Sequence, residues 1–192
     1  MEIGPAIVPH LVNAIGDGDL VIQEKAVVVL KHLRACEALP TLVDLCRQLL
    51  AYTLADCEST RSHAFKTERL PTETDSEDPP HEISEFDVIW EILAYFRELR
   101  ADAAPAVPLL ISALAYPDAD VVEAVARTLG FLGPAAKPAC SELTGLLDHR
   151  RSGVRQQALR SLSMITPTDE TVLAAARTAL MAQEYFIRST AA

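Results

Sequence analysis

The apolar residues of this chain recur in one arrangement, at offsets 0, 4, 8 and 11, which set four side chains on a single stripe of a helix. Ile22, Ala26, Leu30 and Leu33 form one set, and Val88, Ile92, Phe96 and Leu99 another. Val121, Val125, Leu129 and Leu132 follow, then Val154, Ala158, Leu162 and Ile165. Recurrence of one pattern along the chain marks internal repetition rather than a set of unrelated helices.

A second helix is predicted upstream of each stripe. Pro9, Pro108 and Ser141 each stand 13 residues before a stripe begins. At offsets 2, 3 and 6 from those positions lie Leu11, Val12 and Ile15, then Leu110, Ile111 and Leu114, then Leu143, Thr144 and Leu147. Pro40, with Leu42, Val43 and Cys46, supplies the corresponding helix of the second copy. Proline suits the first turn of a helix, where its missing N–H is no loss. The turns GDGD at 16–19, YPDAD at 116–120 and DHRRSG at 148–153 carry the Asp, Pro and Gly that end one helix and cap the next. Each unit therefore reads as a helical hairpin, with repeats at about 4–34, 37–100, 104–133 and 134–166 in a single all-α domain spanning 1–192. Thr168, Asp169 and Glu170 are suited to cap a further helix through Ala174, Ala175, Ala176 and Leu180, so 168–190 reads as closing helices.

The run GPAAKPACSELTGLLDHRRSGVRQQALRSLSMI at 133–165 resembles a HEAT repeat of the bacterial, PBS-lyase-like type. The likeness lies in its GPAAKPA entry, its Leu-Leu-Asp helix end and Val154-Arg155 followed by Ala158 and Leu162. Residues 104–133 and 4–33 share it, and 37–100 shares the anchor positions. The resemblance implies an α-solenoid of about four to five stacked hairpins, whose role is to hold other proteins on an extended surface. It also implies that Arg155 bonds the turn residue Asp148, although the equivalent positions Gln23, Ile89 and Val122 are not basic.

Spacing reveals an insertion. Pro9 to Pro40 is 31 residues and Pro108 to Ser141 is 33, yet Pro40 to Pro108 is 68. The surplus falls inside the second unit, at 57–86, where LPTETDSEDPPHE has no apolar stripe. Residues 56–87 hold ten acidic and three basic side chains, so they carry −7 of the chain's net −10. The acidity belongs to one long loop, and loops of that length are functional or disordered.

The second helix of the same unit departs from its siblings. Where the others have Glu24, Glu123 and Gln156, it has Trp90, the only tryptophan. Where they have Val29, Thr128 and Ser161, it has Tyr95. An outward Trp beside an inserted loop is either covered by that loop or serves as an aromatic anchor for a partner. The expected partner contacts are Trp90, Glu91 and Tyr95 on this helix, Asp75, Glu77 and Asp78 in the loop, and Arg127 and Arg155 on the following repeats.

Composition narrows the function class. With 49% hydrophobic but only 5% aromatic residues, the core is aliphatic, which favours packed helices. A net charge of −10 argues against nucleic acid or an anionic membrane as the main partner, and the cluster Lys137, Arg150, Arg151, Arg155 and Arg160 reads as a solvated turn and helix face. Cys36, Cys46, Cys57 and Cys140 form no CxxC pair, and the histidines at 10, 32, 63, 81 and 149 show no ligand spacing, so no metal is expected. Ser59, Ser62 and His63 lack a rigid orienting group, and no phosphate-binding Gly motif occurs, so neither catalysis nor a cofactor is expected. No apolar span or export signal is present, which makes a cytoplasmic protein with reduced thiols the expectation.

The sequence thus reads as a protein-binding scaffold or adaptor without catalysis of its own. The alternative is an accessory subunit, regulatory or lyase-like, that assists an enzyme or the attachment of a cofactor. A basic partner surface would suit the acidic loop. Self-association is expected at the N-terminal edge, where Ala26-Val27-Val28-Val29-Leu30 is apolar on several sides.

Overall fold

Paired helices, each pair stacked on the last, make up the computed structural model, which describes residues 4–16, 18–60 and 83–167 together with Glu170 and Ala174. The hairpins are α1 (Gly4–Ile15) with α2 (Leu20–Leu33), α3 (Leu39–Thr60) with α4 (Glu85–Leu99), α5 (Val107–Ala113) with α6 (Ala119–Leu132), and α7 (Cys140–Gly145) with α8 (Ser152–Ile165). The second helices α2, α4, α6 and α8 pack side by side in chain order, and the first helices form the other layer. This is an all-helical α-solenoid, with no strand among the described residues.

Capping explains where the second helices begin. Asp19 accepts from the backbone N–H groups of Val21 at 2.8 Å and Ile22 at 3.3 Å, and Asp118 does the same for Asp120 at 2.7 Å and Val121 at 3.4 Å. At α4 a capping box forms, in which Ser84 Oγ accepts from the Asp87 N–H and Asp87 Oδ2 accepts from the Ser84 N–H. Helix α8 has no such cap: Arg151 holds the N-cap position and Asp148 does not serve.

The first helices differ in one respect from the sequence expectation. Pro40 and Pro108 lie in the first turns of α3 and α5, but Pro9 sits inside α1, five residues past its start. A proline there costs the helix one hydrogen bond, a loss α1 accommodates. Short 3-10 turns at Arg100–Ala106 and Gly133–Ala139 lead into α5 and α7 and carry the remaining prolines of these entries.

The stripes form the core, and the stack decides which of their positions are covered. At offset 0, Val88, Val121 and Val154 are buried, and at offset 11 so are Leu99, Leu132 and Ile165. Their counterparts in α2, Ile22 and Leu33, are 43% and 38% exposed, and Val29 is 40% exposed where Tyr95, Thr128 and Ser161 are fully buried. These positions face the preceding repeat, and α2 has none before it among the described residues. The apolar N-terminal edge is therefore Val21, Ile22, Val29 and Leu33, not Val27, which is fully buried against the second repeat.

The insertion has sharper edges than the pattern suggested. Helix α3 runs to Thr60 and α4 starts at Glu85, so helix occupies both ends of 57–86. Leu45, Cys46, Leu49, Leu50 and Thr53 keep one face of α3 buried and sustain it. Residues 61–82 lie outside the described part of the chain, as do the expected closing helices at 168–190 apart from Glu170 and Ala174.

One position recurs at the ends of the second helices. Arg34 (φ 49), Arg100 (φ 54, ψ −124) and Gly133 (φ 62, ψ −138) each stand twelve residues past the start of their stripe. Arg100 and Gly133 share a backbone region open to glycine and strained for any residue with a Cβ. Replacing Arg100 with Gly removes that strain and is expected to stabilise the fold by about 1 kcal/mol, seen as a rise in Tm of roughly 2–4 °C. A fall in Tm would show that the Arg100 side chain contributes more than its backbone costs.

Candidate functional site

Helix α4 presents Trp90 and, seven residues on, Arg97, two turns apart on one side and roughly 10 Å apart along the axis. Helix α6 runs beside it and presents Asp120, Glu123, Ala124 and Arg127. Together these six residues line a groove of about 370 Å³ between neighbouring second helices.

Most charges in the groove are already committed. Asp120 Oδ1 lies 3.0 Å from Arg151 Nη2 of the turn that precedes α8. Arg127 Nη2 donates to Glu123 Oε1 at 3.1 Å and its Nε donates to Gln157 Oε1 at 3.4 Å. Glu123 packs over Gly153, where an added Cβ would lie 2.6 Å from Glu123 Oε2, so the missing side chain makes room for this carboxylate. Arg97 is the exception, since no carboxylate among the described residues lies within ion-pairing distance of it. Burial lowers the pKa of its guanidinium and the neighbouring Arg127 charge lowers it further, while the Glu91 and Glu98 carboxylates act in the other direction from beyond ion-pairing distance.

Trp90 is half-buried, its ring packed partly on the core and partly lining the groove. Whether the loop covers the remainder falls on residues outside the described part of the chain, as do Asp75, Glu77 and Asp78. Glu91 does not face the groove: its Oε2 accepts from Lys31 Nζ at 2.6 Å and ties α4 to α2.

Two expected contacts are corrected. Tyr95 has no exposed surface, because its position in the stripe points at the preceding helix α2 rather than outward. Arg155 does not bond Asp148. Its Nη1 donates to the carbonyl oxygens of His149 at 2.9 Å and Arg150 at 3.2 Å, which the uncapped turn leaves free to accept. Those bonds tie Arg155 to the turn of its own hairpin, and the Arg151 pair to Asp120 joins that hairpin to α6, so part of the basic cluster is committed within the chain.

Arg97 was missed by the sequence reading, although the signal was there. Seven residues from Trp90 is two helical turns, which puts both on one face.

The buried phenol of Tyr95 has no hydrogen-bond partner among the described residues. Burial pushes it up to about 12, with Cys36 and Glu98 adding to the shift, and burial likewise pushes the Cys46 thiol up to about 12. Both groups hold their protons to higher pH folded than unfolded. Their contribution to stability is therefore complete below about pH 9 and is lost as pH rises toward 12. In an alkaline titration, one tyrosine is expected to ionise only together with the loss of helical circular dichroism. Ionisation of every tyrosine with the helices intact would contradict the burial of Tyr95.

Stacked hairpins with a groove between their second helices define the chain as a helical-repeat protein. Residues 88–163, from α4 to α8, match the family model for HEAT repeats. No curated protein matches the chain in sequence. Among solved structures it is similar to the crystal structure of an engineered protein from a structural genomics consortium. That match has a TM-score of 0.53 and 19% identity, and covers 90% of this chain and 67% of the other. At that identity the likeness speaks for the fold alone. Among the described residues no helix is long and apolar enough to cross a membrane.

Proposed function

We propose that this chain is a protein-binding scaffold that holds a segment of another protein in the groove between α4 and α6, and does no chemistry of its own. The observation that carries this reading is a half-buried tryptophan beside an arginine with no ion-pair partner among the described residues, at a site where two repeats meet. Aromatic and Arg side chains are the types that dominate binding energy at protein interfaces. HEAT repeats, which this chain carries at 88–163, commonly serve such a role.

The test is affinity capture from nuclease-treated extract of the native cell with three baits: the intact chain, Trp90→Ala, and a chain whose residues 58–82 are replaced by a Gly-Ser linker. A protein recovered by the intact chain and the linker variant but lost with Trp90→Ala, in a bait that keeps its helical circular dichroism, supports the groove. Loss only with the linker variant would transfer recognition to the acidic segment and favour a basic partner. Equal recovery by all three would overturn both.

Self-association is a second reading, favoured by the exposed apolar side chains Val21, Ile22, Val29 and Leu33. Apolar residues grouped at one edge mark a surface that gains by being covered. Sedimentation at rising concentration should show a dimer that Val29→Lys abolishes, and a monomer at every concentration would remove this reading.

A further inference from the structure

We propose that the α4–α6 groove recognises an acidic peptide segment, with one carboxylate of the partner received by Arg97 and an apolar side chain seated on Trp90. The inference rests on the groove being a binding site, and it adds the chemistry of what is bound. It also reverses the polarity that the chain's acidity suggests, because a protein with a net charge of −10 would by default attract basic partners.

The charges in the groove decide the sign. Asp120 and Glu123 are each neutralised from within the chain, by Arg151 at 3.0 Å and Arg127 at 3.1 Å. Glu91, on the other side of α4, is taken by Lys31 at 2.6 Å. What the lining offers a ligand is then one guanidinium with no carboxylate of the described residues in ion-pairing distance, Glu91 and Glu98 acting on it only from farther off, and a guanidinium binds a carboxylate through paired N–H donors. A basic side chain entering the groove would meet the repulsion of Arg97 and Arg127 together and would have to share a carboxylate that already has a cation beside it. A carboxylate breaks nothing.

Geometry adds a constraint on the peptide. Trp90 and Arg97 are roughly 10 Å apart along α4. In a polyproline-type extended peptide, residues i and i+3 lie on the same side about 9 Å apart. The expected motif is therefore an apolar residue and an Asp or Glu three positions apart in an extended segment.

Panning a random dodecapeptide library against the full chain tests this directly. The expected result is enrichment of sequences with Asp or Glu three residues from an apolar side chain. Peptides so selected should change the fluorescence of Trp90, the only tryptophan in the chain. Arg97→Gln should weaken their binding by roughly 10- to 100-fold, the effect of losing one charge-assisted hydrogen-bonded pair. Arg97→Glu should shift the enrichment to Lys and Arg, while Tyr52→Ala, at an exposed site on α3, should change nothing. Enrichment of basic or uncharged sequences, an acidic motif that survives Arg97→Glu, or no enrichment at all would overturn the proposal. If the peptides fail while the Trp90→Ala bait still loses its protein, the scaffold reading stands and only the acidic chemistry falls. If Trp90→Ala changes nothing in the capture, the groove itself is not the site.

Discussion

Truncating Phe96 to Ala is expected to cost about 4 kcal/mol and to divide the solenoid into two unequal parts. Phe96 is fully buried in α4 and holds the stripe position that Leu30, Leu129 and Leu162 occupy in the other second helices. Removing a buried aromatic ring leaves a cavity that helices anchored on both sides cannot close, and such losses run at about 3–5 kcal/mol. A domain of this size has a total stability of only roughly 5–15 kcal/mol, so the change is a large share of it. In a linear array stability is the sum of each repeat and its contacts with its neighbours. Damage at α4 therefore weakens the links α2–α4 and α4–α6 and leaves α6–α8 intact. Urea unfolding of the variant should show an early step that the intact chain lacks, with α6 and α8 the last to lose hydrogen-exchange protection. A single transition shifted by less than about 1 kcal/mol would mean that Phe96 is not part of a continuous core.

Gly130→Leu is expected to cost about 3 kcal/mol by a different route, that of overpacking. A Cβ at Gly130 would lie 2.8 Å from Ser161 Oγ, 3.0 Å from its Cα and 3.1 Å from its Cβ. A hydroxyl can rotate away, but the Cα belongs to the backbone of α8, so α6 and α8 would have to move apart. Separation would break the hydrogen bond from Ser161 Oγ to the Ala126 carbonyl at 2.7 Å and the one from Arg127 Nε to Gln157 Oε1 at 3.4 Å. The other second helices carry Lys31, Arg97 and Ser163 at this position, which makes α6–α8 the junction where backbones approach through a glycine. Thermal unfolding should fall by several degrees, with faster amide exchange in α6 and α8. Unchanged stability would show that this close approach is not required.

These effects show what the sequence could and could not convey. The stripes at offsets 0, 4, 8 and 11 made the second helices and their repetition legible, because one-sided burial enforces a helical period on apolar residues. The surplus between Pro40 and Pro108 put the extra length inside the second unit, and the structure has α3 and α4 on either side of residues 61–82. The pattern is silent on which neighbour covers a given position. Tyr95 was expected among the partner contacts, yet it is fully buried, as are its siblings Thr128 and Ser161, while Val29 at the same position of α2 is exposed. Thr128 donates to the Ala124 carbonyl of its own helix and Ser161 to the Ala126 carbonyl of α6, which is how small polar side chains come to be inside. Ile22 and Leu33 erred in the other direction, apolar and in register but uncovered, since coverage depends on a repeat before them. Arg155 was tied by resemblance to Asp148, but the bonds went to carbonyls that the lack of a cap on α8 left available. The spacing of seven from Trp90 put Arg97 on the same face of α4, but that α6 lies opposite both is shown only by the packing of the two helices.

We propose that the face between α4 and α6 is where this protein holds another. A photo-crosslinking amino acid placed at position 90, and in a second strain at position 112 on the exposed side of α5, tests it in the native cell with the rest of the chain unchanged. The account predicts a discrete protein adduct on illumination from position 90 and none from position 112. Adducts from position 112 alone, or no protein adduct from position 90, would contradict it.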